Sequence, residues 1–368
     1  MHENDVIIDW LEFTIKEYSL LKFLQDWNIK IEDLTVLNTG LLHYNLTLVY
    51  KEKIKFLIKV DEIVLQRNQM HIKDMSPFMD SNLGVHVILS GYACREIEKL
   101  YDFDFILEYA FTQASQISRI DIAIDVFSND LISLPKVKTY LKNGKVVCKA
   151  KKALIYDLRE IATGLVNGTT VRFGSSSSET QVVIYDKLAE RDCADYKIDE
   201  SIKAWNRIEI RLRRDSALKF LTNYFGSYEK RIGVLAVDIL NNLVKFKDWN
   251  DLDSNRSRRA DADWWTKFLS NVDSLNLSKK SIQASIQQKE KWVDKTVLKT
   301  IASVFVANLD ELMIEDLTKY MIAGISKINS SSLNAINTYR VERGASILSK
   351  EDLNIIISKI QSIEETIR

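Results

Sequence analysis

Neither sign of charge is in excess in this sequence of 368 residues, because 51 lysines and arginines balance 51 aspartates and glutamates. Global charge therefore gives no argument for binding nucleic acid, and such an argument has to come from local charge. No apolar run approaches the roughly 20 residues that span a membrane. The first residues also lack the basic and apolar regions of a signal peptide. We expect a cytoplasmic protein without a membrane partner.

Cysteine and histidine are scarce. The three cysteines form no CxxC pair and the four histidines form no HxH, HExxH or HxxxH pair, which excludes a disulfide framework and the common zinc sites. Any metal site must then rely on carboxylates, which suit hard ions such as Mg²⁺ or Mn²⁺. Only two prolines and 11 glycines occur, so we expect well-populated secondary structure.

The pattern of apolar residues changes along the chain. Between about 30 and 215, short alternating segments predict strands, and helical patterns at 95–114 and 133–144 separate some of them. From 216 onward, apolar residues recur every three or four positions, as in helices. We therefore predict an α+β fold, in which an antiparallel-rich sheet domain covered by helices (1–215) precedes an all-α C-terminal region (216–368). The predicted strands are 43–50, 53–60, 84–91, 119–126, 169–174, 181–187 and 207–213.

Three of these strands carry unusual polar residues on one face. RIDIAIDV (119–126) places Arg119, Asp121 and Asp125 on the same side, because side chains alternate along a strand. If the three strands pair, one open face displays three carboxylates, a tyrosine, a lysine and several guanidinium groups. The other two strands contribute Arg207, Glu209, Arg211 and Arg213 from WNRIEIRLR, and Tyr185 and Lys187 from QVVIYDK.

Two interpretations of this face stay open on spacing alone. It is either a solvated surface of ion pairs or a site that holds a divalent cation beside a tyrosine. In the second case the ion would polarise phosphate oxygens, the arginines would carry developing charge and the tyrosine would attack phosphorus.

Local basicity suggests a polyanionic partner. Between 136 and 152 there are seven lysines and no acid, and arginines follow the Glu209 strand. Phosphate neutralisation by lysine and arginine supplies most non-specific affinity for DNA, whereas the alternative is a solvated helix and turn. The predicted DNA-binding residues are Lys136, Lys138, Lys142, Lys145, Lys149, Lys151, Lys152, Arg213 and Arg214.

Five ordered motifs over about 35–310 resemble the Rep_trans family. GVHVILSGYACREIE (84–98) is similar to that family's H-x-x-x-SG-x-x-CR-x-x-E segment, and the three polar strands follow in its order. ADWWTKFL (262–269) resembles its W-W-x-x-F segment. The family comprises rolling-circle replication initiators of plasmids and phages and related relaxases of integrative and conjugative elements.

The resemblance implies a DNA nicking–closing enzyme. Such proteins cleave one strand of an origin, form a 5′-phosphotyrosine link, release a 3′-OH and later rejoin the strand. They use Mg²⁺ or Mn²⁺, act as dimers and recruit a helicase. For the helical C-terminal region we expect a role in DNA recognition or dimerisation, although its last part, 310–368, matches no motif of the family.

Roles carry over to single positions by the same resemblance. The family's tyrosine in its Y-[DEN]-K motif falls on Tyr185. Its metal-binding acids fall on Asp121, Asp125 and Glu209, and its phosphate contacts fall on Lys187, Arg207 and Arg211. Asp125 is either a second metal ligand or the partner of Arg207, and His86 is either a site residue or a core histidine.

Three functions remain open at this point. The first is a replication initiator, with a relaxase acting at a transfer origin as its alternative, because both perform the same transesterification. The second is a non-catalytic DNA-binding regulator that keeps the fold. The third is a metal-dependent nuclease or phosphatase that activates water instead of Tyr185.

Overall fold

A computed structural model describes most of residues 4–275 and part of the C-terminal region. The contacts between Cα atoms separate two compact units, Met1–Lys280 and Ser281–Arg368. In the second unit the described helical residues are 321–326, 333, 336–337, 340 and those of α9 (Lys350–Ile367). The described residues are 4–16, 19–37, 39–62, 79–80, 82–193, 199–226, 231–251, 253–275, 321–328, 333, 336–337, 340 and 345–367.

A ten-stranded antiparallel sheet forms the centre of the first unit, in the order β2-β3-β4-β5-β1-β6-β11-β10-β9-β8. A separate two-stranded sheet pairs β12 with β7. The predicted strands are all present within a few residues. The bounds are β1 Asp5–Ile15, β2 Leu34–Leu37, β3 Leu46–Tyr50, β4 Ile54–Ile58, β5 Val85–Leu89, β6 Gln116–Val126, β7 Val146–Cys148, β8 Ala153–Arg159, β9 Val166–Phe173, β10 Thr180–Asp186, β11 Asn206–Arg213 and β12 Val244–Phe246.

The core lies on one face of this sheet because the alternating apolar residues share that side. Ile120, Ile122 and Ile124 of β6 are fully buried together with Ile208 and Ile210 of β11. Several helices contact the strands and complete the first unit. The helices are α1 Leu20–Asp26, α2 Gly91–Ile97, α3 Phe103–Gln113, α4 Leu134–Lys142, α5 Lys187–Cys193, α6 Asp215–Gly226, α7 Ile232–Leu243 and α8 Asp263–Asp273.

The α+β prediction is confirmed, with two local differences. The helical pattern over 95–114 forms two helices, α2 and α3, because the Asp102 side chain accepts a hydrogen bond from the Asp104 N–H and begins a new helix there. The strands β2, β7, β8 and β12 were not predicted, and β12 lies in the region that was expected to be all-α. Of these, β7 and β8 lie in and after the lysine-rich segment, where apolar alternation is weak.

Helices α6, α7 and α8 belong to the first unit, although the predicted boundary at 215 assigned them to the C-terminal region. Trp265 of α8 is fully buried and packs against Phe246 of β12 and Phe268. The contact boundary is therefore at 280, and the division of function between the two regions stays a prediction. None of the helices in the described part of the chain is long and apolar enough to cross a membrane.

The contact between α7 and α8 gives a test of this packing. A Cβ added at Gly233 would lie 2.1 Å from the Val272 carbonyl oxygen and 2.5 Å from that of Leu275. Because backbone atoms would have to move, Gly233→Ala should lower the free energy of unfolding by about 1–3 kcal/mol or more. Urea unfolding measures this change.

Gly226 provides the matched control. It also lies in a helix, α6, and an added Cβ there meets no atom of the described residues within 4 Å. Gly226→Ala should therefore leave stability unchanged or raise it slightly. Equal effects of the two substitutions would contradict the packing of α7 on α8.

Candidate active site

The three polar strands are neighbours in the sheet, and their register brings the predicted residues onto one face. Asp125 of β6 lies opposite Arg207 of β11, and Arg207 lies opposite Tyr185 of β10. Two residues along, Glu209 lies between Ala123 and Val183. The isoleucines between these positions point into the core, so the polar residues share the opposite face, here called the catalytic face. Its members from these strands are Arg119, Asp121, Asp125, Tyr185, Arg207, Glu209, Arg211 and Arg213.

Tyr185 and Glu209 form a hydrogen bond at the centre of this face. The Tyr185 hydroxyl donates to Oε1 of Glu209 over 2.5 Å, and the Glu209 side chain is buried. Burial raises the pKa of the Tyr185 hydroxyl far above its usual value, and the Glu209 charge raises it further, while Arg207 opposes both effects. The resting tyrosine is therefore protonated, and its hydroxyl proton points to a carboxylate oxygen.

Asp125 is the partner of Arg207. The Arg207 guanidinium donates from Nε to Oδ1 and from Nη2 to Oδ2, both over 2.7 Å. The Trp205 indole N–H donates to the same Oδ1 over 2.7 Å. Asp125 and Arg207 are both buried. This pairing is one of the two roles that the sequence left open for Asp125, and metal binding by Asp125 stays a prediction.

Asp121 is buried and held by the arginine two residues before it. Arg119 donates to both Asp121 oxygens, over 2.8 and 2.5 Å, and its guanidinium lies 4.2 Å from the centre of the Trp10 ring. Burial raises the pKa of Asp121 to about 6, although Arg119 opposes this, and the Glu209 charge adds to the increase. Asp121 and Glu209 are therefore close enough to repel each other.

Arg211 lies between these two acids. It donates from Nε and Nη2 to Oε2 of Glu209, over 2.9 and 2.6 Å, and its Nε lies 3.7 Å from Asp121 Oδ2. Within the described ranges, no group of three or more His, Cys, Asp or Glu side chains converges as a metal site would require. The oxygen donors of Asp121 and Glu209 nevertheless suit Mg²⁺ or Mn²⁺, and their mutual repulsion favours a cation between them.

Strand β1 supplies site residues that the sequence analysis missed. A bulge between Ile8 and Trp10 inserts Asp9 opposite β6. Asp9 Oδ1 lies 3.0 Å from Nη1 of Arg207, and burial together with the Glu209 charge raises the pKa of Asp9, while Arg207 opposes this. Bulges re-aim side chains near active sites, and they break the two-residue period by which faces are predicted. The alternation in DWLEFTI does indicate that Glu12 points away from the apolar side.

His86 lies on the same side of the sheet and has side-chain partners. Its ring nitrogens lie 2.8 Å from the Thr14 hydroxyl and 3.0 Å from Glu12 Oε1, and its ring stacks on Tyr44. Burial raises the pKa of Glu12, but the hydrogen bonds from His86 and Trp10 and the Arg119 charge together outweigh it and lower the pKa overall. His86 is thus a buried histidine that supports β1, and a direct site role stays untested.

Lys187 follows Tyr185 at the start of α5. Its ammonium is buried, pairs with Glu190 and lies 5.5 Å from the centre of the Tyr185 ring. Burial lowers the pKa of Lys187, and the Arg207 charge acts in the same direction. A lysine whose pKa is lowered gives up its proton more readily than one in water.

The lysine run lies apart from the catalytic face. Helix α4 carries its first three members and packs on β9 and β10, with Val137 and Tyr140 in the core. Lys138 pairs with Asp157 over 2.8 Å, and Asp157 points away from the catalytic face. The most exposed members are Lys142, Lys149, Lys151 and Lys152, while Lys136 and Lys145 lie over Trp264 and Trp249.

The two arginines that end β11 differ. Arg213 donates to the Ser178 carbonyl over 2.9 Å, and Arg214 is exposed at the turn into α6. The structure contains no DNA, so DNA binding by the lysine run and by these two arginines stays a prediction.

The family assignment follows from comparison with known proteins. The chain belongs to the Rep_trans family, the replication initiation factors, whose model matches residues 115–322. That span contains the three polar strands.

Two relatives are informative. A protein of Bacillus subtilis (strain 168) named "Putative DNA relaxase NicK" is 27% identical over 245 residues, covering 65% of this chain and 68% of its own length. The solved structure of the rolling circle replication initiator protein from Geobacillus stearothermophilus is similar in fold. It covers 76% of this chain and 100% of its own, with 22% identity and a TM-score of 0.63.

The buried ion pair of Arg207 generates a stability prediction. Arg207→Gln leaves Asp9 and Asp125 without their buried cation, and breaking such a pair typically costs about 3–5 kcal/mol. Chemical denaturation of the variant should show a loss of this size.

Arg213→Gln is the matched control on the same strand and face. Its guanidinium bonds to a backbone carbonyl and is partly exposed, so the expected loss is below about 1 kcal/mol. A loss for Arg207→Gln no greater than that for Arg213→Gln would contradict the central role of the Arg207 pair.

Proposed function

We propose that this protein is a rolling-circle replication initiator that nicks one DNA strand at an origin and later rejoins it, with Tyr185 as nucleophile. The observation that carries the proposal is the Tyr185–Glu209 hydrogen bond on a face that holds four arginines from β6 and β11. Family membership supports the same activity. Similarity to a protein named as a DNA relaxase favours a second candidate, a relaxase that nicks a transfer origin by the same chemistry.

The proposed reaction is a transesterification, in which one phosphoester bond replaces another and no water is consumed. The Tyr185 oxygen attacks phosphorus and forms an O–P bond, and the bond from phosphorus to the 3′ oxygen breaks. The phenolic proton passes to Glu209, which already accepts the hydrogen bond and is the proposed general base. The 3′ oxygen leaves as a hydroxyl, and rejoining is the reverse reaction. The product is a 5′-phosphotyrosine.

The cations beside Tyr185 have two proposed roles. Lys187 is proposed to protonate the leaving 3′ oxygen, because its lowered pKa suits a proton donor. Arg207 and Arg211 are proposed to stabilise the charge that develops on the phosphoryl oxygens. Arg207 is held by Asp125 and Asp9, so its position is fixed before the substrate binds.

A divalent ion, Mg²⁺ or Mn²⁺, is the proposed cofactor. Asp121 and Glu209 would hold it, and Asp125 is left as the partner of Arg207. When bound, the ion would polarise the phosphoryl oxygens as a Lewis acid. Its charge would also relieve the repulsion between Asp121 and Glu209.

The remaining parts of the proposal concern partners. The exposed lysines at 142, 149, 151 and 152 and Arg214 are proposed to contact duplex DNA beyond the cleaved phosphate. The region after 216 is proposed to serve origin recognition or dimerisation, and a host helicase is a proposed partner. The proposed compartment is the cytoplasm, where the DNA is.

Formation of a covalent adduct tests the nucleophile. Full-length protein incubated with an origin oligonucleotide and Mn²⁺ should form a denaturation-resistant protein–DNA adduct. Tyr185→Phe should form none, because the phenyl ring has no oxygen to attack phosphorus. Tyr92→Phe is the matched control, since Tyr92 is exposed and lies outside the catalytic face, and it should form the adduct normally.

The other outcomes distinguish the remaining functions. An adduct in Tyr185→Phe would reject Tyr185 as nucleophile. Tight DNA binding without an adduct or a nick in the wild type would favour the non-catalytic regulator. Nicking that persists in Tyr185→Phe without an adduct would favour a nuclease that activates water.

Removal of the acids tests the metal. Asp121→Asn and Glu209→Gln should each weaken Mn²⁺ binding, measured by electron paramagnetic resonance, and abolish nicking. DNA affinity should stay the same or rise, because a charge that repels phosphate is lost. Asp157→Asn is the control, since that acid points away from the catalytic face. Unchanged Mn²⁺ binding in both site variants would contradict the proposed ligands.

A further inference from the structure

Strand β8, at the edge of the sheet, exposes apolar side chains on both of its faces. Leu154, Tyr156 and Leu158 alternate on one face and are 42%, 53% and 51% exposed. The register joins this face to the site, because Tyr156 lies opposite Thr170 of β9, and Thr170 lies opposite Tyr185. Tyr156 is thus on the catalytic face, two strands from Tyr185. Since neighbouring strands lie about 4.8 Å apart, the two tyrosines are separated by about 10 Å across the sheet.

Arg172 of β9 accompanies this tyrosine. It lies opposite Leu154 on one side and Val183 on the other, and its guanidinium is 5.9 Å from the centre of the Tyr156 ring. Its Nε is buried and has no hydrogen-bond partner among the residues that the structure describes. No carboxylate in the described part of the chain pairs with Arg172. Three other arginines on the catalytic face do have acidic partners, namely Arg119, Arg207 and Arg211.

We propose that Tyr156 and Arg172 bind an unpaired nucleotide of the cleaved strand, with the base stacked on Tyr156 and its phosphate on Arg172. Aromatic rings on charged grooves bind single strands this way, without sequence preference, because every base has a π-face. Leu154 and Leu158 flank the stacked base. The assignment to the cleaved strand rests on the proposed function, whereas binding of single-stranded DNA does not.

Charge and position favour a nucleotide over a protein partner. A surface for a second copy of the chain would not need an arginine without an acidic partner beside its exposed aromatic ring. A nucleotide uses both groups, and one sheet face leads from this pair to the nucleophile. Self-association through the edge strand is the alternative that the experiment below distinguishes.

Fluorescence anisotropy with a labelled single-stranded oligonucleotide tests the subsite. All variants carry Tyr185→Phe and no metal is added, so no strand is cleaved. Tyr156→Ala should weaken binding about 5- to 150-fold, the range that stacking of one base on an aromatic ring spans. Tyr156→Phe should bind normally. Arg172→Gln should reduce the slope of log affinity against log salt concentration by about 0.7, the loss of one phosphate contact to a single strand.

Ile155→Ala is the matched control. Ile155 is 45% exposed on the same edge strand, but it points to the opposite face, where it lies opposite Val171 of the core. It should bind the oligonucleotide normally. Equal affinities for Tyr156→Ala and Ile155→Ala would overturn the proposal. If Tyr156→Ala unfolds, Tyr156→Leu replaces it in the binding measurement. Leucine keeps apolar area at this position but has no aromatic ring, so this variant should also bind the oligonucleotide more weakly.

Two further measurements separate the alternatives. Light scattering that shows a dimer for the starting protein and a monomer for Tyr156→Ala, with affinity unchanged, would assign the patch to self-association and overturn the proposal. Loss of affinity in Tyr156→Ala without adduct formation by the wild type would reject the proposed nicking function and keep the subsite. Adduct formation by the wild type, together with unchanged affinity in Tyr156→Ala, would keep the proposed nicking function and reject the subsite.

Discussion

A buried charge needs a partner, and on this sheet face the partner that matters most is Arg207. Its guanidinium joins Asp125 of β6 and Asp9 of β1, so that it links β11 to both strands on the catalytic side. Because both acids and the arginine are mostly buried, removing any one of them leaves an unpaired buried charge and lowers the free energy of unfolding. Tyr185 lies directly opposite Arg207 in the register, and the position of the tyrosine therefore depends on this cluster.

In the proposed mechanism, the same charges describe a resting site whose tyrosine has not yet lost its proton. Burial and the Glu209 charge keep the Tyr185 hydroxyl protonated, and they also raise the pKa of Asp121 to about 6. A bound cation or substrate phosphate would change this balance, since each would interact with the groups that Arg211 contacts, Asp121 and Glu209. Such an arrangement suits an enzyme whose nucleophile should react only when DNA is bound.

Alternation in the sequence was enough to predict the central strands and the shared face of Asp121, Glu209 and Tyr185. It could not predict Asp9, because a bulge breaks the two-residue period. It left two roles for Asp125, because spacing shows which side a residue faces but not which cation reaches it. Basic composition pointed to the lysine run as a DNA-binding segment. It could not show that Tyr156 and Arg172 lie together, because they are far apart in sequence and only the register of β8 and β9 makes them neighbours. Helices α6 to α8 belong to the same unit as the sheet, because a domain boundary depends on which elements pack together, and helical periodicity does not show that.

The central claim is that Tyr185 becomes covalently attached to DNA, and mapping the attachment site tests it most directly. After reaction with an origin oligonucleotide and Mn²⁺, the adduct is digested with nuclease and protease, and the modified peptide is sequenced by mass spectrometry. We predict that the residual nucleotide is attached to Tyr185 through a 5′ phosphate. Attachment to any other residue, or through a 3′ phosphate, would contradict this account.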